Sequence, residues 1–185
     1  SDLLRLRPSG NKGPVATRIN AFGKYQREEA WTWEHLALTR ARVICGDDSL
    51  RGEADAIIDE VLEQKRDVAK VTAEVAEMRA LITQEKPPKD IWDFKLIAGG
   101  LVDIEFIAQY LRLIAPARGE DVDTGGMSTS EALKALGERM MAPGDLDTAL
   151  EALNLFTALS QTVRLCIDGD FNPREAPHGL IEQLC

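Results

Sequence analysis

Apolar residues recur along this chain at helical rather than strand spacing. Between Leu50 and Lys65 the residues Ala54, Ile57, Ile58, Val61 and Leu62 fall on one helical face. From Asp67 to Glu85, Val68, Val71, Val75, Met78 and Ile82 form a narrow seam, of the sort that packs against one or two neighbouring helices. Leu101 to Ala115 is apolar nearly all round, which predicts a buried helix. Leu146 to Ile167 predicts a long helix with Leu146, Leu150, Leu153, Phe156, Val163 and Ile167 facing inward and Asp145 as its cap. Ser128 and Glu131 have capping-box spacing and open a helix to about Met141. Thr17 to about Val43 reads as helix in two parts about Gly23.

Breakers separate these stretches. They are the Gly46–Ser49 run, Pro87-Pro88, Gly99-Gly100, Pro143-Gly144 and Gly169. Residues 91–97 are expected to be extended chain. Pro116 to Met127 is expected to be a polar, Gly-rich loop and the best candidate for disorder. The first ten residues differ. Asp2 to Gly10 reads as a short strand whose period of two puts Arg5 and Arg7 on one face, ended by Pro8 and Gly10. The expectation is a mainly α chain of five or six helices: a helical bundle with a short N-terminal strand remnant of a sheet.

Charge narrows the functions open to it. The 185 residues carry a net charge of −9 with a pI near 4.8, which argues against a DNA or RNA duplex footprint. Nucleotides stay open, because they need only a local cluster of Arg and Lys. Cys45, Cys166 and Cys185 lack metal-ligand spacing, and their wide separation suggests reduced thiols in a cytoplasmic protein. No apolar run approaches a membrane span, and the N-terminus lacks a signal pattern. The opening on Ser and on a lone strand leads us to expect a piece of a larger protein.

Three constellations could carry chemistry. Arg5 and Arg7, side by side, are costly unless anions or carboxylates sit opposite. On these residues alone, an edge strand with two solvated arginines is the plainer reading. The second is Glu29 to His35 with Arg40 and Arg42. On a helix Trp31 and Trp33 point about 200° apart, whereas Trp33 and Arg40 share a face. Glu34 could hold Arg5 or Arg7, and Arg40 and Arg42 could reach phosphates. The alternative is a core Trp with surface ion pairs, and His35 suits a structural, hydrogen-bonded role. In the third, Gly99 and Gly100 precede a helix and leave N–H groups that suit an anion. Asp103 sits in that helix's favourable first turn. Glu105, on a helix expected to be buried, needs a cation, and an Arg from the opening segment or Arg40 or Arg42 would serve. No Ser/His/Asp triad, P-loop or dinucleotide fingerprint occurs.

Several runs together resemble one family. They are Arg5-Leu6-Arg7-Pro8-Ser9-Gly10; Tyr25-Gln26 through Glu29–His35 to Arg40-Ala41-Arg42-Val43; Glu77-Met78-Arg79; and Gly99-Gly100 with Asp103–Phe106 and Gln109-Tyr110-Leu111. In order and spacing the set is similar to the bacterial glutamine synthetase adenylyltransferase/adenylyl-removing enzymes. The Ala30–His35 wording resembles the C-terminal half, which adds AMP. The resemblance implies a polymerase-beta-like nucleotidyltransferase whose paired aspartates hold Mg²⁺ against ATP, and a tyrosine of glutamine synthetase as acceptor. It further implies a nucleotidyltransferase end over residues 1–45 and a helical bundle domain over 46–185. Arg5, Arg7, Arg40, Arg42, Gly99 and Gly100 would lie on the nucleotide side, with Glu34, Asp103 and Glu105 in support. The PII signal protein and glutamine would be its regulators. The family's third aspartate belongs two residues before Arg5, where this chain has Leu3. Asp2 is one step off, on the opposite strand face. The first aspartate pair is absent, so the isolated chain is expected to be inactive. A regulatory module binding PII or glutamine is the alternative. A PII uridylyltransferase fragment is another, against which the Trp31/Trp33 wording argues.

Overall fold

Three helices begin where a short acidic or hydroxyl side chain takes one of the first free N–H groups. Asp47 accepts from Leu50 N–H at 2.9 Å and opens a helix over Asp48–Leu62, and Asp67 accepts from Lys70 N–H at 3.1 Å and opens another over Val68–Glu85. Ser128 and Glu131 cap each other's backbone as their spacing predicts, and the helix Thr129–Met140 follows. In this computed structural model, which describes residues 16–120 and 126–167 and Gly179, seven helices account for the architecture. They are α1 (Ile19–Glu28), α2 (Thr32–Leu38), α3 (Asp48–Leu62), α4 (Val68–Glu85), α5 (Leu101–Arg118), α6 (Thr129–Met140) and α7 (Asp145–Cys166). The described residues contain no strand, and no helix among them is long and apolar enough to cross a membrane. The expected opening strand, with Asp2, Arg5 and Arg7, lies outside the described residues.

The mainly helical expectation holds, with local corrections. The 17–43 stretch breaks at residues 29–31, not at Gly23, because the N–H groups of Glu29 and Ala30 both fold back onto the Tyr25 carbonyl. Gly23 is instead buried within α1, where a Cβ would come within 3.1 Å of the Ile57 side chain; it lets α1 approach α3. Since α2 stops at Leu38, Trp33 and Arg40 do not share a helical face. Residues 91–97 form successive turns rather than extended chain, because Asp90 and Asp93 side chains take the backbone N–H groups of Trp92 and Leu96. Phe94, buried there, meets Trp92 edge-on and stacks on Phe156 of α7, both at 5.9 Å.

Pro116 does not begin a loop. Helix α5 runs through it to Arg118 and ends on Gly119 in the left-handed region, φ 79°. Proline removes one hydrogen bond, which a long, well-packed helix tolerates in its last turn. Asp145 is the first residue of α7, not its cap, which falls on Gly144. The inward face of α7 is also shallower than its pattern suggests. Only Ala149 is buried, while Leu146, Leu150, Leu153 and Phe156 pack half-exposed on the core.

Helix α5 is the hub. It sends Leu113 and Ile114 into a core with Leu36, Leu38, Ile58, Val61, Leu62 and Val71. On another side it sends Ile104, Ala108, Leu111 and Ala115 into a core with Ala132, Leu133, Leu136 and Ala149. Val61, Leu113, Leu133 and Leu136 are fully buried, each contributing about 1.5–3 kcal/mol of apolar transfer. The first core crosses the expected 45/46 boundary, since Leu36 and Leu38 share it with α3, α4 and α5.

Candidate functional site: an arginine-lined cleft beside α5

One stripe of α5 organises the charge. Glu105, Gln109 and Arg112 lie at i, i+4 and i+7 and therefore face the same way. Opposite them is the turn that follows α2. Arg40 Nη1 donates to Glu105 Oε2 at 2.9 Å, so the cation that Glu105 was expected to need comes from Arg40. Glu105 is less buried than its helix implied, with a third of its side chain exposed. Arg112 Nη1 donates to the carbonyl of Thr39, itself buried.

Between these elements and the start of α6 opens a cleft of about 420 Å³. Thr39, Arg40, Arg42, Gln109 and Arg112 line one side, and Ser128, Thr129 and Glu131 the other. Three guanidiniums border it, while the α6 N-terminus is already answered by the Glu131 carboxylate, whose pKa is lowered chiefly by its hydrogen bond from the Ser128 hydroxyl. Arg42 is exposed and makes no hydrogen bond or ion pair with any described residue. Such a cleft can receive an anion with several oxygens.

The other predicted residues stand elsewhere. At the start of α5 the Gly99 N–H donates to Asp103 Oδ2 at 2.7 Å, and the N–H groups of Gly100, Leu101 and Val102 donate to the carbonyls of Ile97, Phe94 and Lys95. Asp103 is further held by the Arg79 guanidinium, which also donates to the Leu96 carbonyl at 3.1 Å. The donors expected to cradle an anion are thus engaged by the chain itself. Glu34 is buried and its two oxygens accept from the Tyr25 hydroxyl at 2.8 Å and the Trp31 N–H at 2.9 Å. His35 has the structural role expected of it. Its Nε2 lies 2.9 Å from the Gln26 carbonyl and its Nδ1 3.4 Å from Arg66, and burial holds its pKa below the usual imidazole value. Among the described residues no three His, Cys, Asp or Glu side chains gather where they could hold a metal ion.

Sequence reasoning missed Arg112 and the partners of Arg66 and Arg79. For Arg112 a signal existed: it falls seven residues after Glu105, on the face already in question.

The chain also has clear relatives among known proteins. The family model described as glutamate-ammonia ligase adenylyltransferase matches residues 2–57, a span that includes Arg40 and Arg42. Along nearly its whole length the chain is similar to bifunctional glutamine synthetase adenylyltransferase/adenylyl-removing enzymes. It is 72% identical to that of Rhizobium meliloti and 63% to that of Agrobacterium fabrum, each over 182 residues, and 51% over 181 residues to that of Mesorhizobium japonicum. In each case 98% of this chain aligns with 18% of the relative. The chain is similar to one segment of these enzymes and spans about a fifth of their length.

Proposed function

We propose that this chain is part of an enzyme that transfers AMP from ATP to a tyrosine of glutamine synthetase, and that its arginine-lined cleft faces the nucleotide phosphates. The observation that carries the reading is the near end-to-end similarity to enzymes named for that transfer. The cleft supplies a physical role for this segment. In phosphoryl-group chemistry most of the protein's work is positioning and neutralising charge, and guanidiniums do both. Arg42, unengaged within the described residues, is the group able to meet a phosphate oxygen directly. Mg²⁺ is the metal that the resemblance implies, and no step of the reaction is assigned to the described residues. The exposed, free thiols of Cys45 and Cys166 suit a reducing cytoplasm.

The test is calorimetric titration of the chain with ATP. Measurable binding that weakens at least tenfold in the Arg40→Gln/Arg42→Gln variant is expected; binding indifferent to both arginines would overturn the cleft's role. The purified chain should incorporate no AMP into glutamine synthetase, and incorporation would show that it holds a complete active site.

A second reading has one observation in its favour. A groove of about 640 Å³ between α2 and α4 is lined by Trp31, Trp33, Leu36, Met78 and Leu81, and Trp31 is 70% exposed. A regulatory module would dock the PII protein or take glutamine without needing ATP, and binding of either in the absence of ATP would favour it.

A further inference from the structure

The turn after α2 meets most of its own backbone groups. The carbonyls of His35, Ala37 and Leu38 accept from the N–H groups of Thr39, Arg40 and Ala41, and that of Leu36 accepts from the Thr39 hydroxyl at 2.6 Å. The Thr39 carbonyl takes its donor from elsewhere in the chain, from Arg112 of α5. A cation at a helix C-terminus is favoured by the dipole as well as by the hydrogen bond. One step on, Arg40 is fastened to Glu105 of the same α5 stripe. The turn is therefore bolted to α5 at two places seven residues apart, and Arg42 follows directly.

We propose that Arg112 is a positioning residue. By holding the Thr39 carbonyl it sets the backbone from which Arg42 reaches into the cleft, so that of the three bordering guanidiniums Arg42 is the one that meets phosphate. This rests on the proposed function and assigns the cleft's cations different roles: Arg112 and Arg40 fix the frame, and Arg42 binds.

The experiment is a double-mutant cycle on the full chain, titrated with ATP and with inorganic tripolyphosphate. Arg42→Gln and Arg112→Met are each expected to weaken binding about tenfold, the loss of one charge-assisted contact. Together they should cost scarcely more than either alone, because Arg112 acts through Arg42. Arg112→Lys, which keeps a donor for the Thr39 carbonyl, should recover most of the affinity. Amide exchange at Arg40 and Ala41 should rise in Arg112→Met and not in Arg42→Gln. Losses that multiply would mean that Arg112 contacts phosphate itself, and this would overturn the proposal. So would wild-type affinity in Arg112→Met while Arg42→Gln is impaired, a result that leaves the nucleotide cleft standing. A chain that binds neither ATP nor tripolyphosphate removes the cleft's role, and the inference with it.

Discussion

At its N-terminal end α5 carries Gly99, Gly100 and Asp103; midway along it faces Arg40 and Arg42 with Glu105 and Arg112. Both regions gather charged side chains against α5. They differ in what answers the charge. At the N-terminal end four successive N–H groups and the Asp103 carboxylate are met by Arg79, by neighbouring carbonyls and by each other. Midway, Arg40 and Arg112 are tied to the chain while Arg42 has no partner among the described residues. A closed set of charges holds a fold together; a set with one member left over can bind something.

If that contrast is right, the closed end should matter for stability and not for ATP. Asp103→Ala has the largest expected effect. It leaves the Arg79 guanidinium, which is 17% exposed, and the Gly99 N–H without their acceptor, at a cost of about 3 kcal/mol. Denaturant unfolding measures the loss; unchanged stability with lost ATP affinity would reverse the assignment of the two regions.

The glycine pair sharpens the same point, because its two members are glycine for different reasons. A Cβ on Gly100 would sit 2.7 Å from the Phe94 carbonyl oxygen and 2.9 Å from that of Ile97, so backbone must move; Gly100→Ala should cost about 2 kcal/mol. Gly99 has open space around it but φ 76°, so Gly99→Ala should cost about 1 kcal/mol from backbone strain alone. The order of the two losses, read from unfolding midpoints, is the check. Equal and negligible losses would mean that the glycines are not required by the closed turn.

The helices were legible where a residue's role was local. The caps at Ser128/Glu131, the seam of α4 and the all-round apolarity of α5 each follow from spacing within a turn or two. So did the demand of Glu105 for a cation, since a carboxylate on a mostly buried helix states its own need. What was not legible depended on partners far along the chain. Nothing near Arg79 says that its acceptor lies 24 residues on, or that Arg112 would reach back 73 residues to Thr39. The turns at 91–97 failed for a different reason. Large residues suggested extended chain, but Asp90 and Asp93 bond locally to backbone, and that preference won.

A third cation extends the comparison at the smallest expected effect, a loss of stability that shows only as pH falls below neutral. Arg66 is closed on its own chain: Nη1 donates to the Gln64 carbonyl at 2.9 Å, and Nη2 donates to the Val61 carbonyl at 2.6 Å and lies 3.4 Å from His35 Nδ1. His35 accepts there only if it is neutral, with its proton on Nε2 and shared with the Gln26 carbonyl. Burial chiefly, and then the Arg66 charge, depress the His35 pKa in the fold, although the Gln26 carbonyl and Glu34 pull the other way. A depressed imidazole pKa means that the unfolded chain takes the proton first. The stability from keeping His35 neutral is then complete above the ordinary imidazole pKa of about 6.5 and is lost as pH falls from there through the lower folded value. Carboxylates also weaken the fold in acid, so the measurement is a difference. Unfolding midpoints at pH 7.5 and 5.5 should separate more for the native chain than for His35→Gln, which keeps an amide able to bond on both sides. If the two chains lose stability equally, His35 is not held neutral, and Arg66 is not closed in the way that Arg79 is.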